Sequence, residues 1–209
     1  KGFREAFTAG GGKIIKELWL PFPDVEFQSG LSEIASLRPP AVYSFIAGGG
    51  AAKYIRDFAA AKLNQSIQLW GPGFLTDGVE KAVGAAGDGV KTALHYAEEL
   101  DNPENKAFRA SFSAAYKTDA DVFAVRGWDA MQLLSVGLRA VNGDVAKRKE
   151  MFAAMRNASF ASPRGPFKLS NGQNPIQNFY LRELRGGVNK YIGVAAPGLA
   201  ESSKDCRMT

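Results

Sequence analysis

His95 is the only histidine in the chain and Cys206 the only cysteine. That scarcity bounds the chemistry open to it. A metal centre built on imidazole and thiolate needs several such ligands close together, and these two cannot supply it. A Ser–His–Asp relay is arithmetically open, yet no Gly-x-Ser-x-Gly turn exists to expose a nucleophile. No Gly-x-x-x-x-Gly-Lys-Ser/Thr loop is present to cradle a phosphate. Carboxylates stand mostly one at a time, and Glu17, Glu98 and Glu99 read as solvated. His95, at a strand edge, reads as structural or solvent-facing. No catalytic residue, metal or cofactor is assigned.

The sequence does offer a ligand edge. Ala41 to Ile46 is a short apolar run with β-branched and aromatic members, which reads as a strand buried on both faces. Ala51, Tyr54, Ile55 and Phe58 follow at helical spacing. Between them lie Gly48, Gly49 and Gly50, where the backbone can turn tightly or approach something bound. In open α/β sheets ligands sit beyond the carboxyl ends of the strands, often against helix N-termini. A bare β-to-α turn that touches nothing fits the same residues. Lys62 and Asn64 occupy the region where a dinucleotide site would carry its acidic residue, so that fingerprint is incomplete.

The elements that must position this edge can be read in order. Phe3 and Phe7 share a helical face that Gly10-Gly11-Gly12 ends. Lys13 to Leu20 reads as a strand, Pro21 to Asp24 as a turn, and Val25 to Leu37 as a helix with Phe27, Leu31, Ile34 and Leu37 on one stripe. Ser66 to Trp70 is the next strand, closed by a second glycine turn, Gly71-Pro72-Gly73. Phe74 to Val83 reads as a short helix and Val90 to Tyr96 as a strand. Asn102-Pro103 opens a helix whose buried side is Phe108, Phe112 and Tyr116. Phe123 to Val141 is a longer helix with Ala130, Leu133, Leu134, Leu138 and Val141 as its apolar face, and Asp144 is placed to cap the helix after it. From Ser162 the texture changes to strands, Arg164 to Leu169 and Gln177 to Leu184, with Gly186-Gly187 turning a hairpin into Asn189 to Val194. The last fifteen residues read as loop. Alternating strands and helices with short links predict an α/β fold with a doubly wound, mostly parallel sheet.

Composition excludes several classes. The 209 residues are 45% hydrophobic and 22% charged, as in an ordinary globular protein. The 26 basic against 21 acidic residues give a net charge of +5, spread without the basic runs of a nucleic-acid patch. No apolar run is long enough to span a membrane. The opening Lys1-Gly2-Phe3-Arg4 reads as mid-helix, which leads us to expect a start that lies upstream of this sequence.

Several segments, in order, resemble the solute-binding proteins of branched-chain amino-acid-type ABC transporters, which have the type I periplasmic-binding-protein fold. They are Gly2 to Phe7 with Gly11-Gly12, Phe27 to Ile34, Val42 to Gly48, Leu69 to Phe74, Trp128 to Gln132, Arg164 to Leu169, and Cys206 to Met208. The resemblance implies two α/β lobes joined by three hinge crossings, closing on a small molecule. On that basis residues 1–121 and 176–195 are expected in the second lobe, 122–175 in the C-terminal part of the first lobe, and 196–209 in a tail. Most of the first lobe, which in such proteins grips the ligand's carboxylate, is expected to lie outside this sequence. The implied setting is periplasmic and the implied partner is a membrane permease. No catalysis, cofactor, nucleic acid or membrane embedding is implied. A ligand-sensing domain of a receptor or regulator on the same fold is the rival reading.

The resemblance carries three ligand positions onto this chain. The first is Ala47, flanked by Phe45 and Gly48, where amino-acid binders tend to carry a large aromatic residue. Gly73 is the second, where they place a carboxylate for the ligand's ammonium. The third, Phe123, is still aromatic. A buried ammonium without a counter-charge is costly, so Gly73 points away from an α-amino acid unless a neighbour such as Asp77 supplies the charge. Phe45, Phe74, Phe123 and Trp70 could line the space apolarly, although Trp70 reads first as core and Tyr43 as packing. Arg126 reads as surface, within reach of a ligand carboxylate. The expected ligand is an aromatic carboxylate, with branched-chain or other amino acids as the alternative.

Overall fold

In the computed structural model the described residues are 2–20 and 26–201. The predicted turn at Pro21 to Asp24, Val25, and the Cys206 to Met208 match lie outside them. Helix α1 (Gly2–Ala9) opens the chain and buries no residue. Lys13 to Leu20, expected as a strand, has no regular secondary structure and joins no ladder. A strand needs a neighbour for its backbone groups, and among the described residues none lies beside it. Trp19 is left 81% exposed.

Helix α2 (Gln28–Leu37) buries Leu31 and Ile34. Strand β1 (Ala41–Tyr43) leads through the glycine turn into α3 (Gly48–Ala60), which buries Ala51, Ala52, Tyr54, Ile55 and Phe58. Strand β2 (Gln68–Pro72) follows, and a single 3-10 turn over Gly73–Leu75 separates it from α4 (Glu80–Val83). The one helix expected from Phe74 to Val83 is therefore broken in two, with Gly78 at φ +78° between the pieces. That left-handed backbone suits glycine and interrupts a helix. Strand β3 (Lys91–Leu94) completes the parallel part.

Helix α5 (Pro103–Tyr116) starts as expected: the Asn102 side chain accepts from Asn105 N–H, with Pro103 in the first turn. Phe108 is buried, but Tyr116 is 68% exposed, because it lies at the helix's open end. Helix α6 (Val122–Ala140) is capped by Asp121, which accepts from Ala124 N–H. Its buried side is Val122, Val125, Asp129 and Gly137 rather than Ala130, which is exposed. Helix α7 (Arg148–Arg156) begins beyond the reach of Asp144, whose carboxylate instead accepts from Ala146 N–H at 3.1 Å.

Strands β4 (Ser159–Ser162), β5 (Gly165–Leu169), β6 (Pro175–Arg185) and β7 (Val188–Leu199) close the chain. Gly186 and Gly187, both at positive φ, turn the β6–β7 hairpin as predicted. Strand β7 runs to Leu199, into what was read as loop. The strand order is β1-β2-β3-β6-β5-β4, with β7 also on β6. This is an α/β sheet whose parallel β1-β2-β3 core is extended by antiparallel β6.

Strand β1 departs from expectation. It is three residues long, its ends are exposed, and among the described residues it pairs only with β2. An edge strand has one free side, and here the outer face of Tyr43 is met by Phe3, ring centroids 3.9 Å apart. One apolar core lies between α2, α3 and β2; a second gathers Leu94, Tyr96, Phe108, Val125 and Tyr180. Among the described residues no helix is long and apolar enough to cross a membrane.

Candidate functional site

Parallel pairing sets the carboxyl ends of β1, β2 and β3 side by side. Beyond β1, Ser44 turns inward, where its hydroxyl donates to Tyr54 at 2.9 Å. Alternation along the backbone therefore sends Phe45 outward. Phe45 is 76% exposed and meets Phe74 edge-on, ring centroids 4.9 Å apart. Ala47 is extended and offers α3 no side-chain cap. Gly48, at φ +60°, makes the reversal into the helix with open space around it.

Gly71 and Gly73 are glycines for a different reason. Neither has positive φ; both are pressed by neighbours. A Cβ on Gly71 would lie 2.7 Å from Ser44 O. A Cβ on Gly73 would lie 2.6 Å from Leu94 Cδ1 and 2.7 Å from Arg182 Nη2. Replacing Gly73 by alanine should therefore cost about 1–3 kcal/mol of stability through overpacking. A thermal melt showing no loss would contradict this packing.

Arg182 is fully buried and forms a two-pronged ion pair with Asp77, at 2.8 and 3.2 Å, while Nη2 also donates to Thr92 Oγ1 at 3.2 Å. Burial pushes the Asp77 carboxyl up and the Arg182 charge pulls it back. Asp77 also accepts from Asn189 at 3.4 Å, whose amide oxygen accepts from Thr76 at 2.7 Å. The carboxylate suggested as a counter-charge for a ligand ammonium is thus already committed.

At the end of β3, His95 is buried and its Nε2 accepts from Arg126 Nε at 3.1 Å. Burial first, then the guanidinium groups of Arg164, Arg126 and Arg182, push its pKa down to about 3. The imidazole is neutral and carries its proton on Nδ1, as the bond from Arg126 requires. Phe123 is 64% exposed, and the Arg126 guanidinium stands 5.8 Å from its ring centre. Phe45, Gly73 and Phe74 thus gather at the ends of β1 and β2, and Phe123 stands with Arg126 and His95 at the end of β3. Leu94, which precedes His95 and presses on Gly73, joins the two groups.

The sequence model of the periplasmic binding protein family matches residues 1–189. The chain belongs to the periplasmic binding protein family. A solute-binding protein of an ABC transporter from R. palustris, in complex with benzoate, is 64% identical with a TM-score of 0.91, covering 99% of this chain and 57% of that one. Another from Rhodopseudomonas palustris BisB5, in complex with 3,4-dihydroxybenzoic acid, is 29% identical with a TM-score of 0.84, over 97% of this chain and 57% of that one. A Leu/Ile/Val-binding protein homolog 6 from Brucella abortus (strain 2308) is 30% identical over 87% of this chain and 48% of its own length. The chain spans about half the length of these relatives.

This periplasmic binding protein has the type I fold, as the sequence predicted. Two of its sequence matches, around Trp128-Asp129 and Arg164-Gly165, meet in space: Arg164 Nε donates to buried Asp129 at 2.5 Å. Sequence reading missed Arg182. Its signal was there, because Tyr180, Arg182 and Leu184 occupy one face of a strand and all are buried. An open hollow of about 630 Å³ beside α1, lined by Arg4, Thr8 and Glu17, is separate from this edge. Of its charged lining, Arg4 and Glu17 pair at 2.6 Å.

Proposed function

We propose that this protein binds a small aromatic carboxylate between two lobes and delivers it to the permease of an ABC importer outside the cytoplasm, without catalysis. The observation that carries the reading is the floor beneath Gly73. A guanidinium and Leu94 fill the space that an acidic side chain would need, and Asp77 is spent on Arg182. Asp77 is therefore not free to serve a ligand ammonium, whereas the exposed Phe45 ring and the half-buried Phe74 ring suit an aromatic face. The benzoate and dihydroxybenzoate complexes of the two relatives support the same ligand class.

Residues 1–121 and 176–195 form the second lobe in this reading, 122–175 belong to the first, and 196–209 are tail. Helix α7, which buries no residue, suits a lobe whose remainder is supplied by other sequence. Ligand contacts from both lobes favour the closed form. Amino-acid binding is the second reading, favoured by the Leu/Ile/Val-binding homologue.

Calorimetric titration of the full-length protein separates them. Benzoate and its hydroxylated forms should bind at least ~100-fold tighter than leucine or valine, a difference of about 2.7 kcal/mol. Leucine binding as tightly as benzoate would sink the aromatic-acid reading.

A further inference from the structure

We infer that Arg126 contacts the acid group of the bound ligand, and that His95 is the residue that positions it. The inference rests on the aromatic-carboxylate reading and assigns it a cation. Among the described residues Arg126 has no carboxylate within ion-pair distance. Arg164 and Arg182, the other two guanidinium groups acting on His95, are both paired, with Asp129 and Asp77. Of the three, only Arg126 is left with charge to offer, and it is exposed at the strand-end edge.

Its orientation is fixed from two sides. Nε donates to the neutral His95 ring, and the guanidinium stands over Phe123. His95 is itself held, buried at 7% exposure with Phe179 edge-on at 6.3 Å. With Nε engaged, the two terminal nitrogens are the donors that remain. They form the parallel pair that matches the two oxygens of a carboxylate. A neutral imidazole is required, because a second proton on the ring would remove the acceptor and place two cations side by side. Phe123 beneath the guanidinium excludes water from one face of that contact.

The test is titration of the full-length protein and its variants with benzoate and with benzamide, which keeps the ring and lacks the charge. In wild type benzoate should bind more tightly than benzamide. Arg126→Gln should weaken benzoate roughly 10- to 100-fold and leave benzamide within about threefold, collapsing the preference. His95→Leu should lose part of the same preference, and His95→Gln, whose amide oxygen can accept from Arg126, should restore it. Equal weakening of both ligands in Arg126→Gln would show a contact that serves closure or folding and would overturn the inference. Benzoate binding unchanged in Arg126→Gln overturns it too, while leaving the aromatic-acid reading intact. A wild-type protein that binds no benzoate defeats both.

Discussion

Replacing Arg182 by leucine should cost about 3–5 kcal/mol of folding stability, the range for removing one partner of a buried ion pair. The guanidinium is fully buried and serves Asp77 and Thr92 at once. Without it the Asp77 carboxylate stays in a buried site with the Asn189 amide as its remaining partner. Burial already raises that carboxyl, so the truncated protein would hold it protonated or open locally. Removing both charges, with Arg182→Leu and Asp77→Leu together, should recover a large part of the loss, because no orphaned ion remains. Urea denaturation of the full-length single and double variants measures both numbers. A loss below about 1 kcal/mol in Arg182→Leu would refute the buried pair as a structural keystone. The same substitution would also remove Arg182 Nη2, one of the atoms that a Cβ added at Gly73 would meet at 2.7 Å.

Acid should destabilise the protein through His95. Its folded pKa of about 3 lies below the ordinary 6.5, so between those values the unfolded chain binds more protons than the folded one. The stability it confers is full above about pH 6.5 and is lost as pH falls toward 3. At pH 4.5 the loss should be roughly 2–3 kcal/mol, about two pH units of linkage. The causes are burial and the three cations around the ring, Arg164, Arg126 and Arg182. Asp77, Glu80 and Glu98, whose carboxyls burial raises, titrate in the opposite sense. The difference between wild type and His95→Gln therefore isolates the imidazole. Parallel stability–pH curves for the two proteins would show that His95 carries none of the acid sensitivity.

The strand–turn–helix order was legible because its signals are local. Helical spacing marked the buried face of α3, glycine pairs marked the hairpin and the turns, and Asn102-Pro103 marked a helix start. Lys13 to Leu20 misled for the same reason. Its residue types suit a strand, but pairing depends on a neighbour that residue types do not reveal. Residue types likewise suggested two-sided burial for β1, whereas Ala41 and Tyr43 are exposed.

By itself the sequence determined the α/β fold and the family, because periodicity and ordered motifs survive without coordinates, and the resemblance proposed a ligand edge at Phe45, Ala47, Gly48, Gly73, Phe74 and Phe123. Only the tertiary structure decided what stands behind that edge. Arg182 lies more than a hundred residues from Gly73 in the chain and reaches it only because antiparallel β6 pairs with β3. Arg126 meets His95 only because α6 returns to the end of that strand. Such contacts are made by long side chains across paired strands, so their partners are set by register and topology, which no local pattern encodes.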